Sequence, residues 1–140
     1  MAIADQTLSS DVWTAIKTAL VAATIVVDGK AATIQATYAD VQDGNGSARK
    51  PFIIVHPINL DEVKNKFGSN QGRKNINVFI DCIYKNTLYM DELADKATYA
   101  LSEANINGIS LIGITSDYAF TDPANKKYHE KNITFSYLRE

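Results

Sequence analysis

The sequence predicts an α+β domain: a mixed, mainly antiparallel sheet of four to five strands with two helices packed on one face. Three observations carry this expectation. Two segments, after Ser9 and after Asn86, repeat apolar residues every three or four positions. Two others, Ile76–Tyr84 and Asn132–Tyr137, alternate side chains with a period of two. Between them lies a short apolar run, Phe52–Ile58, flanked and interrupted by Pro51 and Pro57.

Ser9-Ser10-Asp11 supplies a helix start, with a hydroxyl cap and an acid at the positive end of the dipole. Val12, Trp13, Ile16, Leu20 and Ala23 then form one stripe, and the helix reads out near Ala22. Ile25-Val26-Val27 is extended and stops at Asp28-Gly29, a turn pair. Over 31–41, Ile34, Ala36 and Tyr38 alternate with polar residues as a weak strand. Asp43-Gly44-Asn45-Gly46-Ser47 is a loop. The Phe52–Ile58 strand has β-branched residues on both faces, which predicts burial on both sides.

Residues 59–75 are polar and read as one long loop. Ile76, Val78, Ile80, Cys82 and Tyr84 mark one face of the next strand. Asn86 or Thr87 caps the second helix, whose stripe is Leu93, Ala97, Ala100, Leu101 and Ala104, ending at Asn107-Gly108. Glu92 and Lys96 are spaced as an i,i+4 ion pair. Ile109–Thr115 is a strand, 117–127 a connection containing Asp122-Pro123, and Ile133, Phe135 and Tyr137 define the last strand.

The 140 residues fit a single domain, 1–140. Fourteen Lys and Arg against sixteen Asp and Glu leave a net charge of −2, so charge alone does not make this a nucleic-acid coat. The longest apolar-looking run, Ala19–Val27, spans nine residues, far short of the roughly 20 that cross a bilayer. No basic leader region precedes Lys17, so no signal peptide and no membrane partner is expected.

No catalytic, metal or cofactor-binding residue is expected. His56, His129 and Cys82 share no motif, and Cys82 reads as a small buried hydrophobe. Asp91, Glu92 and Asp95 lack any calcium-loop pattern and are explained by the helix dipole. Asp81 alternates away from the core and reads as a surface or subunit-contact residue. Gly44–Lys50 lacks the GK[ST] ending of a phosphate loop. Two stretches are locally basic. Lys64, Lys66, Arg73 and Lys74 outnumber Asp61 and Glu62 by two, and Lys126, Lys127 and Lys131 outnumber Glu130 by two. Aromatic interleaving is sparse, with Phe67 in the first and Tyr128 in the second.

Several runs together resemble a known family. They are Pro51–Ile58, Asn77-Val78-Phe79-Ile80-Asp81-Cys82-Ile83-Tyr84, Met90-Asp91-Glu92-Leu93-Ala94-Asp95-Lys96-Ala97, Gly108–Ile114 and the closing Tyr128–Tyr137. In order and size they resemble the tail terminator, or tail completion, proteins of long-tailed bacteriophages, over most of the chain from Ser9 onward. Head–tail connector (stopper, or neck) subunits share much of the pattern.

The resemblance implies a virion structural protein, not an enzyme, placed in the tail or neck and assembled in the host cytoplasm. It implies a homo-oligomer, a hexameric ring that caps the tail tube, stops its growth and meets the head connector. The tail tube protein and the connector protein are then its partners, and DNA passes through the lumen without sequence-specific binding. A ring needs different patches of one subunit to meet head to tail. The candidate interface residues are Lys64, Lys66, Phe67, Arg73 and Lys74 in the 59–75 loop, and Asp117, Lys126 and Lys127 in the 117–131 connection. A small binding module or an enzyme subunit with an α+β fold, and a nucleic-acid accessory protein, are the competing expectations.

Overall fold

In a computed structural model, the described residues are 9–37, 50–63, 73–106, 108–118 and 128–139. The elements are α1 (Ser9–Ala22), β1 (Val26–Val27), β2 (Lys30–Ala31), β3 (Thr33–Gln35), β4 (Phe52–Val55), β5 (Asn59–Val63), β6 (Arg73–Tyr84), α2 (Thr87–Glu103), β7 (Ile109–Tyr118) and β8 (His129–Arg139). The fold is α+β, as expected. The main sheet runs β3-β4-β6-β8-β7, with β5 also paired to β6, and β1 and β2 form a separate hairpin.

The twelve-residue β6 is the axis of the sheet. On one side it pairs antiparallel with β8 from Asn75 to Tyr84. On its other side β4 covers Ile80–Ile83 and β5 covers Arg73–Asn77. β4 and β5 are therefore two halves of one bent strand. The register slips by one residue between Val55↔Ile80 and Asn59↔Asn77, which makes a bulge at 56–58. Pro57 lies in that bulge, where its missing N–H costs no ladder bond. His56 resumes the ladder by donating its N–H to the Phe79 carbonyl at 3.0 Å.

This corrects the reading of 59–75 as one long loop. Residues 59–63 and 73–75 are paired strands of a hairpin, and 64–72 lies outside the described residues. The charged and amide side chains of Asn59-Leu60-Asp61-Glu62-Val63 hid the strand, because an edge segment needs no apolar face to be held by main-chain bonds. Two other boundaries move as well. β7 continues to Tyr118, so Asp117 belongs to a strand rather than a connection, and β8 begins at His129. The second helix ends at Glu103, with an extended Ala104, three residues before Asn107-Gly108.

β3 is the one parallel neighbour: Thr33, Ile34 and Gln35 align with Phe52, Ile53 and Ile54. A parallel pair requires a long crossover, here the segment 36–51. The weak strand expected over 31–41 is thus three residues long, with Ala36 already in a bend and Tyr38 outside the described residues. The unforeseen β1–β2 hairpin turns on Asp28 (φ 54°) and Gly29 (φ 71°). Two consecutive positive φ values belong to a type I′ turn, whose twist matches the flanking strands.

Alternation along β6 divides the sheet. Ile76, Val78, Ile80 and Cys82 join Ile53 and Val55 of β4, and Ile133, Phe135 and Tyr137 of β8, beneath the helices. Val12, Ile16 and Leu20 of α1 and Leu93, Ala97 and Leu101 of α2 complete this core. All four residues of β4 are buried, as the apolar run between prolines predicted. α1 is further tied down by Trp13, whose indole N–H donates to the Val55 carbonyl at 2.8 Å. Asn86 caps α2, accepting from the Leu88 and Tyr89 N–H groups. On the other face, Phe52, Ile54, Ile83 and Tyr128 form a smaller buried cluster.

Among the described residues one buried side-chain polar atom stands without a hydrogen bond. The Tyr137 hydroxyl is buried and makes no hydrogen bond. Burial pushes this phenol up to about 12 from an ordinary 10.0. Tyr137→Phe removes an unpaired polar group and should raise stability by about 1 kcal/mol in urea unfolding at neutral pH. The folded chain holds the phenol neutral where the unfolded chain ionises it. Its contribution is therefore complete below about pH 10 and falls as pH rises from 10 to 12. The wild type should lose stability over that window more steeply than Tyr137→Phe. Parallel pH curves for the two would contradict this assignment.

Candidate assembly surfaces

The sheet has two flanks of different make. One is the outer edge of β7, and the other is stepped, with β3 outermost beside β4 and β5 outermost beside the start of β6. Among the described residues no strand pairs either outer edge. β7 is ten residues long, and from Ile112 to Tyr118 every residue is exposed. Ile112 is 61% exposed and Tyr118 58%, although both are large and apolar. Its pairing to β8 is interrupted once, where Ile112 bulges between Leu111 and Gly113. Asp117 is its one charged residue, opposite Asn132.

The expected interface residues divide between these flanks. Arg73 and Lys74 open β6 and pair with Val63 and Glu62 of β5. Asp117 stands across the sheet on β7. Lys64, Lys66, Phe67, Lys126 and Lys127 lie outside the described residues. The structure therefore brings Arg73 and Lys74 together on one flank and separates them from Asp117.

Three polar clusters went unread in the sequence. The first corrects the reading of Asp81 as a surface residue. Asp81 is 5% exposed, and its carboxylate meets the His56 ring at 2.5 Å. The bulge places His56 here, on the face away from the helices. Cys82, the next residue, points to the opposite face and is fully buried, so His56 and Cys82 lie on opposite faces of the sheet. Burial, then the Asp81 charge, pushes the Cys82 thiol far above its ordinary range. The expectation that Cys82 packs as a small hydrophobe holds.

The second cluster fastens the β1–β2 turn. The Tyr84 hydroxyl donates to the Asp28 carboxylate at 2.6 Å and accepts from the Lys30 ammonium at 3.2 Å. Burial, reinforced by the bond to Asp28, raises the Tyr84 phenol above its ordinary value, with Lys30 opposing. Lys30 and Lys85 both lie over the Tyr84 ring, and Tyr89 meets it edge-on. α2 holds the same hairpin through Lys96, which donates to the Val26 carbonyl at 2.7 Å while keeping the expected pair with Glu92 at 3.5 Å.

The third cluster joins α2 to the far end of β7. The Tyr118 hydroxyl donates to Asp91 at 2.8 Å, and Lys131 approaches Asp91 at 3.7 Å while lying over the Tyr118 ring. Asp91 lies beyond the first turn of α2, which holds no acid, so the dipole role expected of it gives way to this tertiary one. Alternation signals only that Asp81 leaves the core face of β6; Asp91 sits on α2 and Asp28 in a turn, where strand alternation carries no signal.

An open groove of about 710 Å³ runs between the C-terminal ends of α1 and α2, lined mainly by Ala19, Ala22, Ala23, Ala100, Ala104 and Tyr99. Among the described residues no three His, Cys, Asp or Glu side chains are grouped to hold a metal ion, and no helix is long and apolar enough to cross a membrane.

No family model matches the chain, and no curated protein matches it by sequence. A solved structure does match: a chain from the virion of a native gene transfer agent particle, with a TM-score of 0.54 and 12% identity. The match covers 91% of this chain and 92% of that one. The two share a fold over nearly their whole lengths.

His56→Ala should destabilise the protein by about 1–3 kcal/mol, because it strips a partner from a buried carboxylate. Adding Asp81→Leu should recover part of that loss, since the buried carboxylate that lost the imidazole is then gone. Urea midpoints of the single and double variants check both. Equal midpoints for wild type and His56→Ala would remove the pair from the stability of the fold.

Proposed function

We propose that this protein is a structural component of a phage-like virion, and specifically a tail terminator. In this reading it forms a ring at the head-proximal end of the tail tube, stops tube growth and joins the tail to the head connector. The observation that carries the reading is the fold match over nine-tenths of both chains to a component of a gene transfer agent virion. The resemblance of the sequence to tail terminators supports the finer role.

The flanks of the sheet suit such a role. A ring is heterologous: one patch of a subunit meets a different patch of the next. Here an uncovered ten-residue strand stands on one flank and a hairpin arm on the other. The work is mechanical and has no chemical step. The tail tube protein and the connector protein are its contacts beyond its own copies, and DNA crosses the lumen without being read. The site of action is the tail or neck of the virion.

Six chains of 15.4 kDa make a ring of about 92 kDa. Deleting the gene from the element that encodes it should leave filled heads and tail tubes of uncontrolled length that do not join. Electron microscopy of the lysate reads this directly. Tails of normal length beside heads that leak DNA would instead favour the connector role, and normal joined particles would end the virion reading. Replacing Lys64, Arg73 and Lys74 together by Glu should reduce the yield of joined particles while leaving the circular dichroism spectrum unchanged. Unaffected assembly would remove this hairpin from the interface.

A further inference from the structure

We infer that the outer edge of β7 in one copy of this chain pairs, antiparallel, with the outer edge of β5 in the next copy, extending the sheet from subunit to subunit. The inference rests on the ring reading above and names the surfaces that would close the ring.

The first support is the state of the β7 edge. An unpaired strand edge presents a row of N–H and C=O groups that template another strand. Native proteins blunt such edges with shortness, Lys, Pro, a bulge or a covering element. β7 is ten residues long and contains no Lys, Arg or Pro. Among the described residues one bulge, at Ile112, and one acid, Asp117, are its only such devices, and seven consecutive residues stay exposed. Ile112 and Ile114 offer apolar contact beside the backbone row. An edge of this kind is suited to a partner strand rather than to water.

The second support is the match of direction, which selects a second copy as the occupant. β8 is antiparallel to β6, and β7 is antiparallel to β8, so β7 runs the same way as β6. β5 runs opposite to β6. Copies arranged around an axis near the strand direction keep a common orientation. The edge of β7 then meets the edge of β5 as an antiparallel pair, the more favourable ladder. The two edges lie on opposite flanks of one sheet, so the contact repeats head to tail and a rotation closes it. The levels agree for the first half of β7: Asp61 pairs with Asn75, Asn75 with Leu138 and Leu138 with Ser110, so β5 stands level with Ile109–Gly113, while the exposed residues from Ser116 to Tyr118 stand level with β4.

Disulfide trapping tests this pairing on the full chain. The only native cysteine, Cys82, is buried with its thiol held protonated, so it stays silent under mild oxidation. Asp61→Cys is combined in turn with Ser110→Cys, Ile112→Cys and Ile114→Cys. The expected result is a ladder of cross-linked species, dimer through hexamer, for at least one combination. Each single-cysteine chain should yield no ladder. A single β7 cysteine that gives dimer as efficiently as the double variants would overturn the inference in favour of a two-fold β7–β7 contact. Monomer alone in every combination, with wild-type spectra, would overturn it outright. Ile112→Lys, a charge on an exposed edge position, should shift the wild-type assembly to monomer in light scattering without changing the unfolding midpoint. Gene deletion speaks separately to the virion role, so loss of joining together with absent cross-links would reject the pairing while leaving that role in place.

Discussion

The fold depends on β6 being paired along both of its edges. Twelve residues of one strand are held by β8 on one side and by β4 and β5 in series on the other. Every other strand of the main sheet touches β6 or a neighbour of β6. Its period of two then does the remaining sorting: even-numbered residues face the helices and odd-numbered ones face away. A slip of one residue would send Ile76, Val78 and Ile80 to the open face and Asn77, Phe79 and Asp81 into the core. The register is therefore fixed by burial. The bulge at 56–58 shows how much tolerance remains, since it absorbs one residue on an outer neighbour and leaves β6 itself straight in phase.

Polar clusters finish what burial begins. Burial fixes which face of a strand is inside, but it fixes the ends of elements poorly, because ends are where apolar contacts thin out. Here the ends are held by directed bonds. Tyr84, at the last residue of β6, holds Asp28 and Lys30 of the small hairpin. Asp91 on α2 gathers Tyr118 and Lys131 from the ends of β7 and β8. Trp13 ties α1 to the last carbonyl of β4. Each bond is small against the core and yet directional where the core is not.

This division explains what could be read from the residues. Both helices, the buried β4 run and the core face of β6 follow from periodicity, and periodicity is a record of burial. The Asn86 cap and the Glu92–Lys96 pair follow from local spacing. What escaped was held by other means. β5 is an edge segment whose main chain is paired although Asp61 and Glu62 give it no apolar pattern. Asp81 points away from the core as alternation predicts, yet it is buried rather than on the surface, with His56 from the neighbouring bulge against its carboxylate. The small hairpin depends on positive φ at Asp28 and Gly29, and only the turn pair itself hinted at it. Of the candidate interface, the division into two separate flanks was legible in chain order. Asp117 was placed in a connection because polar Ser116-Asp117 ends the apolar pattern before the strand itself ends.

The unequal treatment of the two faces and the two flanks gives the molecule its character. One face is closed by helices and the other carries polar residues with a small apolar cluster. Among the described residues the open groove between the helix ends is lined mainly by alanines. The unspent pairing capacity lies instead at the flanks, as backbone edges that differ from each other in length, in sequence and in direction. Two identical edges would favour a closed pair of subunits. Two different edges of opposite direction on one rigid sheet favour a chain of copies that turns in one sense. In the proposed ring such a sheet would pass its orientation from copy to copy, because the same registered strand, β6, sits between the two contacts. A ring so built would need that transmission more than any one side chain, so its assembly surface can be chemically plain while the core is strictly specified.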